Sequence, residues 1–192
     1  VTYNADRTQF LFERLVMLDE NNDMVPGAAQ RWERSSDGKT WTFHLRRDAR
    51  WSDGRPMTAQ DWVYTYRRLL DPTSGNVFAF FYYDIKNAKS VNQGELTDLS
   101  SIGVSAMDDY TLVIDTERPC PYLPYITSFP TSAPVPQWQV EKYGRKWTEP
   151  GNCVSNSSYM LETWSHGRQM SWVLNPYYTG PIKGYLERIV GL

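Results

Sequence analysis

Three scarcities bound this 192-residue chain before any motif is read. Histidine occurs only at 44 and 166, and cysteine only at 120 and 153. The two cysteines have no CxxC spacing and no second pair, which argues against a zinc site. No apolar run approaches the roughly 18 residues that a membrane span requires, and no signal-peptide pattern is visible. A net charge of −2 leaves no dominant basic face for nucleic acid.

Catalytic groupings are equally scarce. Hydrolysis needs a nucleophile with a base, paired carboxylates or a metal. The chain has no HExxH, no GxSxG and no Gly-rich phosphate loop. His44 lies beside Arg46 on the alternate face of a strand and reads as a surface residue, and His166 reads as a solvated turn residue. Asp53 and Asp61 are better explained by turn and capping roles than as an acid–base pair. The expectation from these residues is no enzyme, no metal and no cofactor. Asn156-Ser157-Ser158 is a formal glycosylation sequon that carries weight only in a eukaryotic secretory setting.

Aromatic residues are what the chain has in plenty, at 15% with 8 Trp and 13 Tyr. Such rings either fill a core or line a site for bulky, varied ligands. An aromatic-platform carbohydrate-binding module would require an exposed row of tryptophans, with Trp32, Trp41, Trp51 and Trp62 as its candidates.

The best-specified stretch is Trp41 to Pro72, WTFHLRRDARWSDGRPMTAQDWVYTYRRLLDP. Trp41, Phe43 and Leu45 alternate with polar residues as a half-buried strand does, and Asp37-Gly38 supplies the turn before it. Thr58 and Asp61 form a short capping box. Trp62, Tyr66, Leu69 and Leu70 then make one apolar helical stripe, with Arg67 and Arg68 in the last turn and Pro72 as the stop.

Elsewhere, Leu11, Arg14, Leu15 and Leu18 predict a helix within residues 8–18. Asp19 to Asp23 reads as a polar turn, and Met24 to Arg34 as a strand-like approach that sets Trp32 opposite Trp41 or Phe43. Val77 to Tyr83 fits a helix or a buried strand equally well. Tyr110 to Asp115 reads as a strand after an Asp108-Asp109 turn. Six prolines between Arg118 and Pro136 exclude a long helix or a central strand and suggest a surface connection. Gln137 to Tyr143 predicts a short helix ended by Gly144. Tyr159–Trp164 and Met170–Leu174 predict a hairpin turning at residues 165–168. Two hairpins flanking one helix imply an antiparallel sheet with a helix on one face, an α+β fold.

The run DGKTWTFHLRRDARWSDGRPMTAQDWVYTYRRLLDP resembles the signature region of the extracellular solute-binding proteins of family 5. These are receptors that feed oligopeptides, dipeptides, nickel and some sugars to ABC importers. Leu11-Phe12-Glu13, Pro26-Gly27-Ala28-Ala29 with Trp32, Pro134-Val135-Pro136, Glu141-Lys142-Tyr143-Gly144 with Trp147, and Asn175-Pro176 with Tyr178 follow the family's order. One departure is Asn156-Ser157-Ser158-Tyr159, where the family usually reads Asn-Gly-x-Tyr. Length is another: members run to roughly 500 residues, well beyond one typical domain.

The resemblance implies a fragment of a type II periplasmic-binding-protein architecture. Residues 1–13 and 136–192 would belong to the larger ligand-binding lobe and 14–135 to a small domain, with the second lobe outside the chain. It implies capture of oligopeptides by a periplasmic or otherwise extracytoplasmic monomer, with or without a lipid anchor, for delivery to an ABC permease. Nickel chelates or sugars are the alternative ligands within the family. Position in the family pattern assigns ligand contact to Thr2, Tyr3 and Phe78, the last where oligopeptide receptors carry a tyrosine. An even cysteine count in an exported protein suggests a Cys120–Cys153 disulfide, with two buried thiols as the alternative.

Overall fold

The computed structural model describes residues 10–191. They pack as two compact units: residues 10–13, 47–57 and 134–191 in the first, and 14–46 and 58–133 in the second. Residues 47–57, expected within the 14–135 segment, therefore pack with the first unit.

The second unit is built on a four-stranded antiparallel sheet. Strands β1 (Val16–Leu18) and β2 (Met24–Pro26) form a small hairpin of their own. The sheet itself contains β3 (Ala29–Arg34), β4 (Thr40–Leu45), β5 (Val104–Asp108) and β6 (Thr111–Asp115), in the order β3-β4-β6-β5. Both hairpins expected from the sequence form, and β4 joins β6 to make them one sheet. Trp32 is the register partner of Phe43, and Phe43 that of Leu112. Gly38 takes φ +75°, the left-handed region that a side chain disfavours, and so closes the β3–β4 turn.

Helix α1 (Ala59–Leu70) packs on β5 and β6 through buried Trp62, Tyr66, Leu69 and Leu70. Its capping box is formed, with the Thr58 N–H donating to the Asp61 carboxylate at 2.8 Å. Two short helices follow, α2 (Ala88–Asn92) and α3 (Leu123–Ile126).

Two sequence expectations are corrected here. The described part of the helix expected over 8–18 is absent, and residues 16–18 are strand β1. The backbone at Arg14 and Leu15 accepts instead from Ala28, Gly27 and Ala29, so long-range bonds override the helical spacing. The proline-rich stretch is also no bare surface connection: Cys120, Leu123, Ile126 and Ser132 are buried. Pro124 and Pro130 sit in the first turns of α3 and of a 3₁₀ turn at Pro130–Ser132. A missing N–H is harmless there.

The first unit contains α4 (Gln137–Tyr143) and a three-stranded sheet of β7 (Tyr159–Ser165), β8 (Gln169–Leu174) and β9 (Arg188–Gly191). The segment 47–57 is anchored here because Trp51 is fully buried, edge-on to Trp138 at 5.4 Å. The Ser52 N–H donates to the Ser155 carbonyl at 2.7 Å, and the Ser155 N–H donates to Ser52 Oγ at 3.0 Å. Asn156 is buried, bonded through its side chain to both backbone groups of Glu13. That burial is incompatible with glycosylation in the folded protein.

The expected Cys120–Cys153 bridge is not formed. Both cysteines are free thiols, one in each unit. Burial, then the charge of Asp84, pushes the Cys120 thiol up, and burial pushes that of Cys153 up to about 12. Two predictions follow from the fold. Unfolding the protein without reductant should release two titratable thiols per chain, while the native protein at about pH 8 reacts slowly, because the thiolate is the reactive form. Thr58→Ala should lower stability by about 1 kcal/mol in urea unfolding, the usual loss for an N-cap.

Candidate ligand-contact surface

The segment from Pro72 to Tyr83 contains no Asp, Glu, Lys, Arg or His. Asp71 opens it by accepting the Thr73 N–H at 2.8 Å, and Gly75 turns the chain at φ +62°. The Asn76 side chain then accepts the Phe78 N–H at 2.9 Å. A 3₁₀ turn at Ala79–Tyr82 follows. Three residues per turn put Ala79 and Tyr82 on one face, and both are buried. Phe80 and Phe81 face outward.

Four large apolar residues are therefore exposed within five positions: Val77 at 71%, Phe78 at 36%, Phe80 at 55% and Phe81 at 40%. The rings are ordered against one another. Phe80 and Phe81 lie 4.3 Å apart between centroids, Phe78 stacks near-parallel to Phe81 at 6.3 Å, and Phe129 meets Phe81 edge-on at 5.2 Å. Beneath them, Tyr82 is fully buried, edge-on to Tyr66 at 5.7 Å, and its hydroxyl shares a 2.7 Å hydrogen bond with Thr131. Burial pushes the Tyr82 phenol up to about 12 and that of Tyr66 well above its ordinary value.

Phe78 thus lies on this surface. Thr2 and Tyr3, the other expected contacts, lie outside the described residues. Sequence reasoning singled out neither Phe80 nor Phe81 nor Phe129. The uncharged run VFAFFYY was the available signal, but its periodicity fits helix and strand alike. The tryptophans lend nothing to a carbohydrate platform: Trp41, Trp51 and Trp62 are buried, Trp32 is half-buried, and none of the eight is exposed.

The same unit also holds a polar cleft of about 340 Å³ lined by Asp37, Lys39, Thr40, Lys86, Asp115, Thr116 and Glu117. Its carboxylates are engaged by neighbours. Asp115 accepts from Thr40 Oγ1 at 2.7 Å, Glu117 from the Asn87 N–H at 2.7 Å, and Asp37 from Ser35 Oγ at 2.6 Å. The Ser35 bond, then that from the Lys39 N–H, holds the Asp37 carboxyl below its usual range. These bonds tie the sheet end to its turns. His44 contacts Glu33 at 2.8 Å, and His166 contacts Glu149 at 3.1 Å. Neither faces a nucleophile in those contacts.

The chain as a whole is similar to known proteins. The pattern of "Bacterial extracellular solute-binding proteins, family 5 Middle" matches residues 23–191. The periplasmic oligopeptide-binding protein OppA of Escherichia coli is 38% identical over 184 residues, 95% of this chain and 34% of that protein. The "Probable deoxycholate-binding periplasmic protein YgiS" of the same organism is 38% identical over 181 residues, 93% of this chain and 34% of that protein. The structure of Haemophilus influenzae OppA in complex with RPPGFSPFR superposes with a TM-score of 0.87 at 38% identity, covering 91% of this chain and 34% of that one. The chain spans about a third of the length of the relatives it matches.

The buried phenols make alkaline stability a test of the scaffold under the rings. A phenol whose folded pKa is raised stabilises fully below its unfolded value of about 10 and loses that contribution as pH rises towards about 12. Urea unfolding midpoints should therefore fall between about pH 10 and pH 12. Tyr82→Phe should flatten the fall while costing about 1 kcal/mol at neutral pH for the lost hydrogen bond.

Proposed function

The chain belongs to the bacterial extracellular solute-binding proteins of family 5, and on that premise we propose that it is part of the substrate-binding component of an ABC importer. In this reading it captures oligopeptides outside the cytoplasmic membrane, in the periplasm or an equivalent space, and delivers them to a membrane permease. It acts as a monomer, binds and releases its ligand, and carries out no covalent chemistry. The observation that carries the reading is the 38% identity, over 95% of this chain, to a periplasmic oligopeptide-binding protein.

Phe78 is the proposed contact on the described surface, with Thr2 and Tyr3 as its companions. A phenylalanine ring supplies area and excludes water but offers no hydroxyl, so this contact carries no hydrogen bond to ligand. Affinity with little dependence on sequence then rests on main-chain bonds of the added-strand kind. Waters around ligand side chains adapt the remaining hydrogen bonds. Most of the groove is assigned to the two thirds of the relatives' length that lies outside the matched stretch.

A compact amphipathic ligand is the second reading. It is favoured by the equal identity to the relative named for deoxycholate and by the absence of charge along residues 72–83.

Native mass spectrometry of the full-length protein, purified without denaturation, separates these readings. A ladder of bound masses released by unfolding is the outcome expected for a sequence-tolerant peptide receptor. One discrete bound mass, whether of a steroid, a sugar or a metal chelate, would overturn it. Phe78→Ala should weaken peptide binding roughly three- to tenfold, as loss of one aromatic contact does. Unchanged affinity would remove Phe78 from the contact set.

A further inference from the structure

We propose that the surface formed by Val77, Phe80 and Phe81 beside Phe78 is a specificity element that favours ligands carrying an aromatic side chain over those carrying a charged one. This inference deepens the peptide-receptor reading and rests on it.

The first ground is that the surface is apolar and solvent-facing yet ordered. Val77, Phe78, Phe80 and Phe81 stand exposed together, whereas a large apolar residue on a soluble protein usually stands alone. Their rings are fixed by mutual contacts and by the edge of Phe129. The turn beneath is pinned by the buried pair Tyr66 and Tyr82 and by the bond to Thr131. A ring landing here finds partners already in position, so little side-chain freedom is lost on contact.

The second ground is electrostatic. No ionisable carboxylate, amine or imidazole occurs from Pro72 to Tyr83. An ammonium or carboxylate set down on this surface would lose hydration without gaining an opposite charge from the segment. A neutral ring incurs no such cost and gains edge-to-face or offset contact with Phe80 and Phe81. The third ground comes from the relatives: one is solved with RPPGFSPFR, which carries two phenylalanines as well as two arginines, and another is named for deoxycholate, a steroid carboxylate with a large apolar face. Apolar groups are thus among the ligands associated with proteins this similar.

The occupant is accordingly one uncharged aromatic side chain of a bound peptide. Its partners are Phe80, the most exposed of the rings, and Phe81, which touches all three of the others.

The test is competition binding on the full-length protein after removal of endogenous ligand by unfolding and refolding. Two equimolar tripeptide pools in an alanine background are compared, one placing Phe at each position in turn and the other Lys. The expected result is roughly three- to tenfold preferential retention of the Phe pool, the range for one aromatic pair. Phe80→Ser should bring the ratio of the two pools close to one, and Phe80→Leu, which keeps apolar volume for folding, should leave an intermediate ratio. Retention of both pools with no preference in the native protein would overturn this inference and leave the peptide-receptor reading intact. A preference that survives both substitutions would overturn the assignment to this surface. Retention of neither pool would overturn the receptor reading and this inference with it.

Discussion

Phe43 and Leu112 face each other across the centre of the small unit's sheet, and the rest of that unit depends on their meeting. Each belongs to its own hairpin, and the hairpins are separated by α1 and the aromatic turn. Pairing β4 with β6 joins them, provides the surface on which Trp62 and Tyr66 are buried, and so fixes where the helix lies. The helix in turn presents Tyr66 to Tyr82, and Tyr82 holds the 3₁₀ turn that displays Phe80 and Phe81. A non-local strand pair thus determines the position of an exposed ring through four successive contacts. Closing the long loop between the hairpins carries an entropic cost that grows only slowly with length, so such an arrangement is affordable.

The polar surface around the sheet is organised differently. Asp37, Asp98, Asp108 and Glu117 each turn a carboxylate onto nearby backbone N–H groups or hydroxyls. The three aspartate bonds are short-range and shape turns, that of Glu117 spans 30 residues, and all four leave the carboxylates committed. The aromatic turn instead displays four large apolar side chains outward in a group. That contrast, more than any single residue, directs attention to it as a contact surface.

Much of this was legible wherever a signal was local. The Trp41–Leu45 alternation, the Thr58/Asp61 box, the stripe of α1 and the turn at residues 165–168 all concern neighbours within about one turn or one hairpin. Legibility failed where a distant backbone decided. Leu11, Arg14, Leu15 and Leu18 have helical spacing, but residues 27–29 had already engaged the carbonyls at Arg14 and Leu15. Strand β9 has only four residues and gains its identity from β8. The aromatic run fits a helix and a strand alike, and whether its rings face in or out depends on Tyr82 finding Tyr66 and Thr131. The proline-rich stretch misled for another reason: proline bars a helix interior but suits a first turn, and Pro124 and Pro130 start turns there.

The order in which the chain visits its two units has a consequence for synthesis. Once residue 133 has emerged from the ribosome every residue of the small unit is available, so that unit can fold while translation continues. The other unit must wait. The Glu13 N–H finds its acceptor only when Asn156 emerges, and Trp51 lacks its ring partner until Trp138 does. In the interval, Trp51 and its flanking loop have no ring partner and their apolar surface is uncovered. Nascent chains from which residue 133 but not residue 156 has emerged are therefore the species that expose this surface.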